Sequence, residues 1–99
     1  MSDMDSGHTV AANHPMLAGH FPGHPIVPGA WLLAWVVAAA ESRRTVAGVK
    51  RVKFLRPLAP DQMFECTLQE SDVTMRFTVT SAGELIAAGS LRLQAHSVR

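Results

Sequence analysis

The residues best suited to chemistry lie in "GHFPGHPIVPGAWLLAW", Gly19 to Trp35. Two histidines stand there among three prolines and three glycines, directly ahead of an unbroken apolar run. A neutral imidazole has a pKa near 6.5 and accepts a proton at physiological pH, which makes it a common general base. A base must be held close to its productive geometry, and this density of backbone-restricting residues reads as a loop built to hold one. A metal centre is not expected. His14, His20 and His24 invite that reading, but Pro22 and Pro25 forbid the helix that would bring His20 and His24 to one face. No nearby cysteine or acid completes a ligand set.

The elements that must position such a loop follow from the rest of the pattern. Residues 1 to 6 are polar and expected to be disordered, and His8 to Ala12 could form a short strand. From Asn13 to Pro28 four prolines interrupt the chain, so an ordered loop is expected there. Pro28 and Gly29 open a helix, with proline where its missing N–H costs nothing. The helix is predicted to run to Arg43 or Arg44, two cations that suit a helix C-terminus. Its "AWLLAWVVAAA" is apolar all round, so something must wrap it. Four strands follow. "VAGVKRVKFLRPL" is rich in β-branched residues; in "QMFECTLQE", Phe64, Cys66 and Leu68 alternate with polar neighbours. In "DVTMRFTVT", Val73, Met75, Phe77 and Val79 share a face, and in "ELIAAGSLRLQA", Leu85, Ala87, Leu91 and Leu93 fall in phase. Period-two alternation marks half-buried antiparallel strands. "ESDV" and "SAGE" supply the turns between them. The result is one α+β domain spanning residues 1–99, whose small sheet cannot cover such a helix on every side, so a second copy or related subunit is expected to complete the enclosure.

Composition narrows the setting. The single cysteine, Cys66, leaves no internal disulfide and sits in an alternating pattern as a small buried hydrophobe. The N-terminal "MSDMDSGHTV" has no signal-peptide pattern, and the apolar run from Ala30 to Ala40 is far short of the roughly 20 residues of a membrane span. A cytoplasmic protein with no membrane partner is expected. Six of the nine basic residues, Arg43, Arg44, Lys50, Arg51, Lys53 and Arg56, fall in one stretch without an acid. That stretch is either a solvated strand and loop or a docking face for an acidic partner. Nucleic acid is not expected, because no binding motif or aromatic interleaving accompanies it.

"GHFPGHPIVPG" resembles the signature loop of the β-hydroxyacyl-acyl-carrier-protein dehydratases, G-H-F-P-G-x-P-x-x-P-G. It fits at Gly19, His20, Phe21, Pro22, Gly23, Pro25, Pro28 and Gly29, with an aliphatic at Val27. "VKFLRPLAPDQMFECTL" is similar to the family's strand–turn–strand segment, and "GELIAAGSLRL" extends the match. In size, and in Trp35, the chain also resembles small dehydratases of aryl polyene pathways. The resemblance implies a hotdog fold, an antiparallel sheet wrapped around one long helix and commonly paired into a dimer. It implies removal of water from a 3-hydroxyacyl thioester, on acyl carrier protein or coenzyme A, to give a trans-2-enoyl thioester. No cofactor is implied.

By the same resemblance His20 is the catalytic base that takes the Cα proton, and the N–H of Gly29 polarises the thioester carbonyl at the positive end of the helix. Glycine there avoids a side chain that would obstruct the substrate. Phe21, Pro22, Gly23, Ile26, Val27, Pro28, Ala30, Trp31 and Ala34 would surround the acyl group, with the Ile26 carbonyl orienting the ring of His20. His24, at a position that varies in the family, would sit at the cavity mouth. The basic stretch would meet the carrier.

One position departs from the family. The helix carboxylate expected fourteen residues after the histidine is Ala34. Glu41, seven residues further along, would lie about 10 Å away, too far for direct proton transfer, and Asp61 reads as a turn residue. In the family the histidine and the acid come from different subunits, so a heterodimer could pair His20 with a partner's acid. The alternatives are a hotdog thioesterase, and a non-catalytic acyl-binding or heterodimer subunit.

Overall fold

The structure, a computed structural model, describes residues 2–8, as backbone, and residues 27–95. Within them the chain runs β1 (Ser2–His8), α1 (Gly29–Glu41), β2 (Val46–Phe54), β3 (Phe64–Ser71), β4 (Thr74–Ser81) and β5 (Glu84–Leu93). The strands form one antiparallel sheet in the order β1-β3-β4-β5-β2. The α+β class is as expected. Residues 2–6 correct the reading, because they belong to a strand that pairs Ser2 to Asp5 with Gln69 to Cys66. Of the strand expected at 8–12, residues 9–12 lie outside the described residues.

Two-residue turns set the order of β3, β4 and β5. Asp72, at φ 54°, turns β3 into β4. Ala82 and Gly83, at φ 51° and 80°, turn β4 into β5. In this second turn, positive φ at both central residues matches the right-handed twist of the flanking strands. The alternation then places Phe64, Cys66 and Leu68 of β3 and Met75, Phe77 and Val79 of β4 in the core. Each large side chain so buried contributes roughly 1.5–3 kcal/mol. Buried Ser81 is satisfied, accepting from Gln62 Nε2 at 2.7 Å and donating to the Met63 carbonyl at 2.6 Å.

Two strands break the simple alternation. In β5 the pairing slips between Val79↔Ala87 and Thr80↔Leu85. Ile86 is the extra residue, and both it and Ala87 are buried while Leu85 is 39% exposed. Leu85 was expected in phase with Ala87; the bulge moves it to the surface. In β2 the register shifts after Val46 and again after Val49. These shifts bring Val46, Val49, Val52 and Phe54 opposite Leu93, Leu91, Gly89 and Ala87, on the side of the sheet that faces the helix. Val73, also expected to be in phase, sits in the β3–β4 turn and is 37% exposed.

Helix α1 lies on that side. Leu32, Val36 and Ala40 are buried on it, while Ala30, Ala34 and Ala38 are exposed. One chain's sheet therefore covers one side of a helix that is apolar all round. The helix stops at Glu41, short of Arg43 and Arg44. The Ser42 hydroxyl donates to the Ala39 carbonyl at 2.6 Å, and the amides of Arg43 and Arg44 bond Ala40 at 3.0 and 3.1 Å. These bonds close the final turn. No helix among the described residues is long and apolar enough to cross a membrane.

Candidate functional site

A cavity of about 310 Å³ opens where α1 begins. One wall is Val27, Pro28, Gly29 and Leu32; the other is the end of β2 and the segment after it, Phe54 to Leu58; Ile86 completes it. Three backbone hydrogen bonds hold these walls together. The Val27 amide donates to the Leu58 carbonyl at 2.8 Å, and the amides of Leu55 and Arg56 donate to the carbonyl of Ile86 at 2.8 and 3.3 Å. The bulge in β5 thus has a local use: its extra residue faces the cavity and its carbonyl anchors the opposite wall.

The lining is apolar except for Arg56, whose exposed guanidinium lies 3.4 Å from Glu84, a solvent-screened pair of little energetic weight. The other polar feature is backbone. Pro28 caps α1 at φ −60° and ψ 138°, and its carbonyl accepts from the amides of Trp31 and Leu32, each at 3.1 Å. No side chain caps the helix. The amides of Gly29 and Ala30 therefore have no partner within the helix, and the helix dipole is positive there. Gly29 is also a point of close approach. A Cβ built on it would lie 3.0 Å from Phe54 Cζ and 3.1 Å from Cε1 and Cε2. Glycine at this position admits the Phe54 ring against the helix start.

The sequence-predicted residues divide accordingly. Val27, Pro28 and Gly29 line the cavity. Ala30 and Ala34 lie on the exposed stripe of α1, and Trp31 is half-buried; none of the three lines the cavity. Trp35 packs edge-to-face on Phe64, with ring centroids 5.2 Å apart. His20, Phe21, Pro22, Gly23 and Ile26, with His14 and His24, lie outside the described residues. No carboxylate is among the described residues that line the cavity. Glu41 is at the far end of α1, about 18 Å along the axis from Gly29, and Asp61 is an exposed turn residue at φ 63°. Among the described residues no cluster of His, Cys, Asp or Glu could hold a metal.

The basic stretch is split by the fold. Arg44 is a structural clamp, with a side chain only 10% exposed. Its Nη1 donates to Glu70 Oε2 at 2.6 Å and to the Asp72 carbonyl at 3.1 Å, and its Nη2 donates to the Gln94 carbonyl at 2.8 Å. That guanidinium ties the end of α1 to the β3–β4 turn and the end of β5, so it is not available to a carrier. Arg43 is half-buried, and Lys50, Arg51, Lys53 and Arg56 are exposed. Sequence reasoning missed Leu32, Phe54, Leu55, Pro57, Leu58 and Ile86 as lining residues. The segment "VKFLRPL" carried a signal for most of them; nothing in the sequence announced the bulge at Ile86.

Comparison with known proteins bears on this geometry. Residues 2–90 match the model of the ApeI-like family, described as ApeI dehydratase. The chain is 34% identical over 100 residues to a 3-hydroxyacyl-[acyl-carrier-protein] dehydratase FabZ of Thermomicrobium roseum, covering 83% of this chain and 66% of that protein. It is 28% identical over 99 residues to the FabZ of Geotalea uraniireducens, covering 87% of this chain and 68% of that one. The chain thus spans about two thirds of the length of these relatives. Among solved structures, the dehydratase heterocomplex ApeI:P from Xenorhabdus doucetiae superposes with a TM-score of 0.81 at 20% identity, over 93% of this chain and 86% of that one. The fold is the hotdog that the resemblance implied. With a family match that takes in the cavity walls and every described strand as far as Ser90, the chain belongs to the ApeI-like dehydratase family.

Proposed function

We propose that this chain forms part of a hydro-lyase that converts a 3-hydroxyacyl thioester, on acyl carrier protein or coenzyme A, into a trans-2-enoyl thioester and water, in fatty acid or polyene biosynthesis. The observation that carries this reading is the start of α1: a glycine amide without an intrahelical partner, on the wall of an apolar cavity, directly after the "GHFPGHPIVP" sequence. The Gly29 N–H would donate to the thioester oxygen as charge develops on it, in a site whose apolar walls strengthen that bond. His20, at the family's base position, would take the Cα proton. The electron pair left on Cα forms the new double bond as the bond from Cβ to oxygen breaks. The departing hydroxyl needs a proton to leave as water.

That proton is where this chain departs from the usual pattern. Ala34 cannot supply it, and it stands on the exposed alanine stripe, a surface that a second hotdog subunit would cover. A partner's acid brought beside His20 would complete the site, and the related ApeI:P protein is itself a dehydratase heterocomplex. Reconstitution tests this. The purified chain is expected to leave a 3-hydroxyacyl thioester unchanged and to turn it over once a homologous subunit with a helix carboxylate is added. No turnover with any homologous partner would contradict it. The absence of a carboxylate from the described lining favours a second reading, an acyl-binding subunit without chemistry. That reading predicts that the His20→Ala variant supports its partner as well as the wild type does.

A further inference from the structure

The segment between β2 and β3 supplies one cavity wall without belonging to a strand, and it is held from both ends. At its start the Ile86 carbonyl holds Leu55 and Arg56. At its end Ala59 to Gln62 make a turn, with Pro60 and Asp61 at the centre, Asp61 at φ 63°, and the Gln62 amide donating to the Ala59 carbonyl at 3.2 Å. Proline followed by a residue of positive φ is the pattern of a type II turn. The Gln62 side chain folds back over this turn. Its Oε1 accepts from the Ala59 amide at 3.0 Å, which leaves its Nε2 to donate to the Ser81 hydroxyl at 2.7 Å. That hydroxyl, on a residue 3% exposed, donates in turn to the Met63 carbonyl at 2.6 Å. The turn is thus pinned to the end of β4 through a buried group.

Backbone carries this brace to the cavity. Ala59 follows the buried Leu58, whose carbonyl accepts from the Val27 amide at 2.8 Å. One residue, Pro28, separates Val27 from Gly29, and its ring locks φ, here at −60°. Few free torsions therefore lie between the Leu58 carbonyl and the Gly29 amide to absorb a shift of the wall. Gln62 itself does not line the cavity.

We propose that Gln62 is a positioning residue: it fixes the Ala59 turn and, through Leu58 and Val27, the place of the Gly29 amide against the thioester oxygen. The proposal rests on reading that amide as the donor to the thioester.

The test compares Gln62→Met, Gln62→Glu and Ser81→Ala with the wild type, each assembled with its partner. Methionine keeps the length of the side chain and loses both hydrogen bonds. Glutamate keeps an acceptor for the Ala59 amide, and the Ser81 hydroxyl can turn to donate to it. Two readouts are taken: kcat and KM with a 3-hydroxyacyl N-acetylcysteamine thioester, and the 15N–1H resonances of Val27 and Gly29 without ligand. Gln62→Met should lower kcat and kcat/KM together by ~10-fold, because the donor matters most in the transition state and a misplacement of about 1 Å costs ~10²-fold. Its Val27 and Gly29 resonances should move. Ser81→Ala, which removes only the anchor of Gln62, should show the same pattern in smaller measure. Gln62→Glu should recover most of the lost kcat and return both resonances toward their wild-type positions. A lowered Tm with full kcat in Gln62→Met and Ser81→Ala overturns the proposal, as do Val27 and Gly29 resonances that stay in place. If the assembled wild type turns over no thioester while the resonances of Gln62→Met move, the linkage through Leu58 stands and the reading of the Gly29 amide falls.

Discussion

Replacing Gly29 by alanine separates chemistry from folding. The backbone there is not in the left-handed region, so alanine fits the helix start without torsional strain. The added methyl would stand 3.0 Å from Phe54 Cζ, a few tenths of an ångström inside ordinary contact. Phe54 is 49% exposed, so its ring has room to swing outward. Alanine is favoured over glycine by up to about 1 kcal/mol in a helix interior, and by less in the first turn. Moving the ring offsets part of that, leaving net stability within ~1 kcal/mol of wild type. For a domain of this size such a change shifts Tm by no more than about 4–8 °C. Activity should respond far more. On the proposed function, the methyl and the displaced ring both intrude where the thioester oxygen would meet the Gly29 amide. Misplacing a substrate by about 1 Å costs ~10²-fold, and losing an oxyanion donor costs ~10²–10³-fold in kcat. The assay is the ultraviolet absorbance of the enoyl thioester formed by the assembled enzyme, set beside a thermal melt of the same sample. Full turnover in the Gly29→Ala variant would refute the role of this amide, and loss of the folded state would show the glycine to be structural.

Other outcomes follow from the same geometry. Gly89→Ala places a Cβ 2.1 Å from the Arg51 carbonyl oxygen and 2.8 Å from the Phe77 ring, so β2 must move; a loss of at least ~2 kcal/mol is expected in urea unfolding. Gly48→Ala meets only the movable Arg92 guanidinium and should cost under about 0.5 kcal/mol in the same assay. Arg44→Ala strips the Asp72 and Gln94 carbonyls and Glu70 of a donor, and should cost roughly 1–3 kcal/mol, toward the lower end because Glu70 is one-third exposed. Ala34→Glu restores a carboxylate at the family's acid position and should give the chain alone measurable turnover, at least ~10-fold above its own background.

Much of this was legible in the sequence where side-chain periodicity carried the signal. Alternation located β3 and β4, proline and glycine marked the helix start, and the apolar helix pointed to a covering surface. Features decided by backbone registration were not legible. β1, "SDMDSGH", lacks an apolar alternation and is recruited by pairing with the edge of β3. The bulge at Ile86 reverses the phase of Leu85, and no residue type announces it. The basic stretch looked like one surface because its members are neighbours in sequence. Folding buries Arg44, sends Arg51 and Lys53 to the sheet face away from α1 and places Arg56 at the cavity. Of the candidate site, the Gly29 wall was readable from the loop motif. The Phe54 contact depends on β2 ending beside the helix start, which only the fold determines.

The most direct measurement is the backbone amide resonance of Gly29 in 15N-labelled protein, assembled with its partner, as a non-hydrolysable 3-hydroxyacyl thioester analogue is added. The account predicts a large, saturable downfield shift of the Gly29 N–H as it donates to the acyl oxygen, accompanied by changes at Phe54. An analogue that binds while the Gly29 amide stays where it was would contradict it.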